Sequence, residues 1–155
     1  MNIEIIQADL ANTRHVESII EIVDSYAREP MGGAAPLATE ARDRLAIEID
    51  SVPGLVIFLA LLDEVAAGVA VCFRGYSTFK AQPLVNIHDL AVLPERRGRG
   101  LGTAMLAAIE DYARDTGCCK LTLEVREDNA GARRLYRDVG FGTEILPTIF
   151  LEKSL

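Results

Sequence analysis

Positive charge is scarce in this chain. Its 155 residues include 16 lysines and arginines against 23 aspartates and glutamates, a net charge of -7. That balance argues against nucleic acid as a partner, since binding a polyanion relies on a basic surface. Long apolar runs are missing as well. The longest, Leu55 to Leu62, is too short to span a bilayer, so no membrane is expected as a partner. The N-terminus has no basic stretch followed by an apolar run, and no signal peptide is read there. The three cysteines, Cys72, Cys118 and Cys119, have no metal-ligand spacing. Cys118 and Cys119 are adjacent, which suits neither a zinc site nor an ordinary structural disulfide; they read as packing residues. A reduced, cytoplasmic setting without a bound metal is expected. No repeat, low-complexity tract or linker divides the chain, and half of it is hydrophobic, so residues 1–155 are expected to form one domain.

Periodicity supplies the elements. Residues 3–6 read as a strand. A capping start at Asn12 or Thr13 leads into Val16, Ile19, Ile20, Val23 and Ala27 at helical spacing. Residues 30–36, rich in proline and glycine, form a loop. A second helix puts Ala41, Leu45 and Ile49 on one face and stops at Pro53-Gly54. Residues 55–62 and 65–74 form an antiparallel hairpin turning at Asp63-Glu64, and residues 85–92 a further strand. A helix carrying Leu101, Met105, Ala108, Ile109 and Tyr112 inward ends near Gly117. Residues 120–126 alternate strictly as a strand. Residues 130–139 form a helix with Ala132, Leu135, Tyr136 and Val139 inward, and strands 141–146 and 148–153 follow around Pro147. The order β-α-α-β-β-β-α-β-α-β-β, with hairpins and one βαβ crossover, implies an α/β fold: a mixed, mostly antiparallel sheet of about seven strands with helices on both faces.

Against the acidic background, Arg97-Gly98-Arg99-Gly100-Leu101-Gly102-Thr103 stands out. Its glycines allow sharp turns and close approach to backbone N–H groups. A helix start adds unpaired donors and the positive end of a dipole, and arginine forks match phosphate oxygens. Three phosphate loops compete for the segment. A P-loop requires a lysine that is absent here. A dinucleotide fingerprint requires its third glycine where Thr103 stands, and a position after the first strand of the fold. A pyrophosphate loop of the form Arg/Gln-x-x-Gly-x-Gly/Ala is matched by Arg97, Gly100 and Gly102.

With Asp89-Leu90-Ala91-Val92-Leu93-Pro94-Glu95-Arg96 leading into that loop, then Leu121-Thr122-Leu123-Glu124-Val125, Asn129, Leu135-Tyr136 and Gly140-Phe141, the chain resembles the GNAT superfamily of acetyl-CoA-dependent N-acetyltransferases. The element order is that family's fold. The resemblance implies that Leu90, Ala91 and Val92 offer backbone groups to the pantetheine arm, in the manner of an added strand. It implies that the N–H groups of Arg97, Gly98, Arg99, Gly100, Leu101, Gly102 and Thr103 hold the pyrophosphate of acetyl-CoA, and that Asn129 contacts the cofactor. The strand at 85–92 and that at 120–126 are expected to splay, leaving a slot for the thioester. Tyr136 is expected to aim its hydroxyl at the sulfur as general acid; its spacing also suits a core tyrosine. The region of Tyr26, Arg28, Glu29 and Met31 covers the acceptor site in the family, though the same residues suit a plain surface loop. A homodimer through the last two strands is common among such proteins.

Acetyl transfer to an amine needs a base to neutralise the ammonium, a polarised carbonyl and a protonated leaving thiolate. The Val92 N–H is a candidate carbonyl donor. His88, with an ordinary pKa of about 6.5, and Glu124, acting directly or through water, are the candidate bases. Strict alternation puts Asn86 and His88 on one face of their strand and Asp89 on the other. The expected activity is transfer of acetyl to a primary amine, on a small molecule or on a protein, by direct attack. The alternative is a non-catalytic acyl-CoA-binding sensor or regulatory module.

Overall fold

Five strands form one sheet in the spatial order of the chain: β1 (Ile3–Gln7), β2 (Leu55–Leu62), β3 (Val65–Ser77), β4 (Gln82–Val92) and β5 (Leu121–Leu123). Neighbours run antiparallel except β4 and β5, which are parallel. A parallel pair requires a crossover, here α3 (Leu101–Asp115). The computed structural model describes residues 1–142 and 149–155. It divides into two units, Met1–Glu124 and Val125–Leu155; the sheet lies in the first.

Both sheet faces are covered in that unit, which is why β2 reads as an unbroken apolar run. On one face packs α1 (Thr13–Ala27), started by the Asn12 side chain accepting from the Arg14 amide at 3.0 Å. Its Val16, Ile19, Ile20 and Ile22 join Ile57, Leu59, Val69 and Ala91 in one buried cluster. On the other face packs α3. The ring of its Tyr112 meets Phe58 edge-on at 5.7 Å, and a Cβ on Gly68 would lie 3.0 Å from Met105 Cε, so that helix packs closely over the glycine. Each large aliphatic side chain buried here contributes roughly 1.5–3 kcal/mol.

Several boundaries differ from the sequence reading. The hairpin of β3 and β4 is longer than residues 65–74 and 85–92, pairing out to Ser77↔Gln82, because backbone bonding continues through polar residues that break the apolar pattern. The second helix, α2 (Thr39–Glu48), has no buried residue. Ala41 is exposed, and the next turn, Ile49–Ser51, carries Ile49 into the core. The strand expected over residues 120–126 is ordered as strand only at Leu121–Leu123; Val125 is exposed. Beyond Leu123 the partner β4 is bulged, so a parallel ladder has no register to continue into.

In the second unit, Asn129 caps α4 (Ala130–Asp138), its side chain accepting from the Ala132 amide at 3.1 Å. Ala132, Leu135, Tyr136 and Val139 are half-buried along one side, and Gly140, at φ 98°, ends the helix. Of the two final strands expected around Pro147, Phe141, Gly142 and residues 149–155 are in no regular element; residues 143–148 lie outside the described residues. Among the described residues the sheet therefore has five strands, not about seven.

Candidate active site

β4 contains one residue more than β3 can pair. Val71 opposes Asp89 and Cys72 opposes Ile87, so His88 is a bulge. A bulge resets alternation, and the strict reading that separated Asp89 from His88 fails for that reason. Asp89 opposes Val71, and Ala91 opposes Val69; Val69, Val71 and Ala91 all belong to the α1 side. Cross-strand partners share a face, so Asp89 looks towards α1. His88 is exposed, its ring edge-on to Phe73 at 5.6 Å. Asn86 is committed elsewhere: its Nδ2 donates to Thr122 Oγ1 at 3.0 Å, tying β4 to β5. Pairing between those strands ends at Ile87↔Leu123. From His88 to Val92, among the described residues, β4 has no strand on that side.

Asp89 is the residue that alternation concealed. It is half-buried, and no donor among the described residues hydrogen-bonds its carboxylate. Burial raises its carboxyl above the ordinary aspartate range, with the neighbouring His88 pulling the other way. A carboxylate that loses water without gaining a donor is stabilised by any cation that approaches it.

A short turn, Pro94–Arg96, follows β4, and then the glycine loop. Gly98 and Gly100 adopt left-handed φ values of 72° and 86°, and a Cβ on either would meet nothing within 4 Å, so the space above both is open. Gly100 is the N-cap of α3, and the first amide with an internal acceptor is Ala104, bonded to Gly100 O at 3.0 Å. The N–H groups of residues 98–103 have no acceptor among the described residues. Consecutive amides of this kind at a helix N-terminus form an anion-binding concavity, which fits the diphosphate that the resemblance implies. Arg97 differs from its neighbours. Its amide donates to Pro94 O at 3.3 Å, and its side chain turns away from the loop: Nε donates to Val92 O at 3.0 Å and an Nη to the Glu29 carboxylate. Arg96 and Arg99 have no such partners among the described residues.

Glu29 stands in a tightly wound segment after α1. Its carbonyl accepts from both Gly32 and Ala34 at 2.9 Å, Ala35 N donates to Ala27 O at 3.1 Å, and the Tyr26 hydroxyl donates to Met31 O at 3.3 Å. A Cβ on Gly32 would fall 2.0 Å from Tyr26 O. Beside it, buried Asp24 accepts from the Leu37 amide at 2.8 Å and bridges Arg28 and Arg42, an arrangement that holds its carboxyl below the ordinary range. These contacts fix the connection between α1 and α2. A groove of about 530 Å³ along α2, floored by Leu45, Ile49 and Val52, involves none of the expected site residues.

The first unit thus brings together His88, Leu90, Ala91, Val92 and the loop 97–103. Glu124 is exposed at that unit's end. Asn129 and Tyr136 belong to the second unit. The cap uses Asn129 Oδ1 and leaves its amide NH₂ as a donor; Tyr136 is half-buried, its ring 5.8 Å from Phe141. Among the described residues no three His, Cys, Asp or Glu side chains gather as metal ligands, and no helix is long and apolar enough to cross a membrane.

Comparison with known proteins narrows what this arrangement is. The chain is 29% identical over 127 residues to thialysine N-epsilon-acetyltransferase of Caenorhabditis elegans, an overlap of 82% of this chain and 77% of that protein. The crystal structure of a probable acetyltransferase superposes with a TM-score of 0.83 at 22% identity, over 97% of this chain and 98% of the other. A structure of AAC(6')-Iy in complex with the bisubstrate analog CoA-S-monomethyl-acetylneamine superposes with a TM-score of 0.79 at 23% identity, over the whole of both chains; at such identities these two share the fold. Residues 18–141 match the acetyltransferase (GNAT) family along their length, and the chain belongs to that family.

Proposed function

We propose that this N-acyltransferase moves acetyl from acetyl-CoA to a primary amine of a small cationic molecule, by direct attack while both substrates are bound. The observation that carries the reading is the run of amides at 98–103 with no acceptor among the described residues, with open space at Gly98 and Gly100. Acetyl-CoA supplies an activated acyl carbon on a thiol leaving group. The amides of 98–103 grip its diphosphate and the Arg99 guanidinium a phosphate oxygen, while Leu90, Ala91 and Val92 offer the pantetheine arm the β4 edge that has no strand beside it among the described residues. The Asn129 amide supplies a further donor. His88 takes the proton from the acceptor ammonium, and Asp89 beside it favours the positive charge that His88 acquires; Glu124 is the other base considered. The Tyr136 hydroxyl protonates the departing sulfur, and the Val92 N–H polarises the carbonyl.

A small acceptor is supported by the thialysine named for one relative and by the acetylneamine moiety of the analog bound to a structural neighbour. Calorimetry with acetyl-CoA, followed by thiol release across a panel of aminoalkyl amino acids, diamines and aminoglycosides, tests the reading. Micromolar binding with release that requires one acceptor class is the expected result. Absence of binding, or binding with no acceptor-dependent release over the panel, defeats it.

A further inference from the structure

Arginines beside a phosphate loop invite assignment as phosphate ligands. Arg97 is placed otherwise. Two nitrogens of its guanidinium bond to protein: Nε to the carbonyl of Val92, at the end of β4, and one Nη to the Glu29 carboxylate. The residue it holds is central to the segment after α1, because Glu29 is the common acceptor for two amides of that turn and its own amide donates to Tyr26 O at 3.0 Å. Arg97 is itself immobilised through its amide and through the turn Pro94–Arg96. The result is a two-point tie between segment 28–35 and the C-terminal end of β4, the strand that bears His88 and Asp89.

We propose that Arg97 and Glu29 form a strut that sets the position of segment 28–35 against the end of β4, making Arg97 a positioning residue for the acceptor and not a ligand of the cofactor phosphates. Planarity matters: a guanidinium reaches a carboxylate and a carbonyl in fixed directions at once, which a lysine ammonium on a flexible stem does not. The acceptor half of this proposal rests on the function proposed above and on the family resemblance that puts Tyr26, Arg28, Glu29 and Met31 over the acceptor; the strut itself rests on neither. An ion pair this exposed adds little to global stability, so its loss should be read locally.

Hydrogen exchange on the cofactor-free protein tests the strut directly. In Arg97→Ala and in Glu29→Ala, protection of the Gly32, Ala34 and Ala35 amides should fall at least tenfold while protection in α3 is retained; unchanged protection at those three amides overturns the proposal. With acetyl-CoA and an acceptor, both variants should raise the acceptor KM at least fivefold and leave the acetyl-CoA Kd within twofold of wild type. The double variant should be no worse than either single one, and Arg97→Lys should fail to restore the KM. Arg99→Ala, in contrast, should weaken acetyl-CoA at least fivefold. If Arg97→Ala weakens acetyl-CoA beyond twofold, or the two single effects simply add, the strut is wrong. Wild-type protein that binds no acetyl-CoA would instead refute the proposed function, and the exchange result would still decide the strut.

Discussion

At the scale of single residues, chemistry divides groups that titrate usefully from groups that do not. Burial pushes the Cys72 thiol up to about 12, so at neutral pH it carries almost no thiolate. In native protein an aromatic disulfide reagent should consume only Cys118 and Cys119, the third thiol appearing only after denaturation; rapid native labelling of Cys72 would contradict its burial. His88 is expected to govern the rising limb of kcat/KM against pH, and in His88→Ala that limb should vanish while acetyl-CoA still binds. Tyr136→Phe should lower kcat at least tenfold, about 1.4 kcal/mol, with little change in either KM. Asp89 gives a prediction of opposite sign for stability and activity. Its folded carboxyl is raised, so folding loses stability as pH climbs from the ordinary aspartate value, about 3.9, through the raised one. Asp89→Asn should accordingly melt higher than wild type at pH 7, the gap closing in acid, while its acceptor KM rises.

At the scale of elements, pattern and capping explain what could be read ahead of the structure. α1 and α3 were legible because their apolar positions recur at helical spacing and each meets a covered sheet face; Asn12→Ala should cost about 1 kcal/mol by chemical denaturation. The glycine loop was legible because Gly98 and Gly100 serve a backbone need, positive φ. Nothing crowds Gly100, so Gly100→Ala acts through conformation alone: about 1–2 kcal/mol of strain, with acetyl-CoA affinity reduced as the loop rearranges. Other features were hidden for physical reasons. The bulge at His88 has no sequence signature, since one extra residue in a strand looks like any other, and Asp89 was assigned to the wrong face in consequence. Ala41 looked internal because alanine suits both core and surface. The tie between Arg97 and Glu29 joins residues 68 positions apart, and no local pattern reports a long-range ion pair.

For the whole molecule, the fold class and the order of elements as far as α4 followed from periodicity, whereas the strand count did not. Acid sensitivity belongs to this scale. Asp24 binds the Leu37 amide, Arg28 and Arg42, and its carboxyl is depressed, chiefly by that amide. A depressed carboxyl contributes stability above its unfolded value, about 3.9, which disappears as pH falls through the folded value. Melting curves of wild type and Asp24→Asn should therefore differ most at neutral pH and converge in strong acid. The bulge has a consequence at this scale too. Excising His88 would leave Ile87 and Asp89 opposite Cys72 and Val71, which are themselves consecutive, so a chain one residue shorter closes into a regular ladder with every other pairing kept. The architecture is complete without that residue; a shortened protein should fold as well as its parent and turn over nothing, the two properties parting company at a single codon.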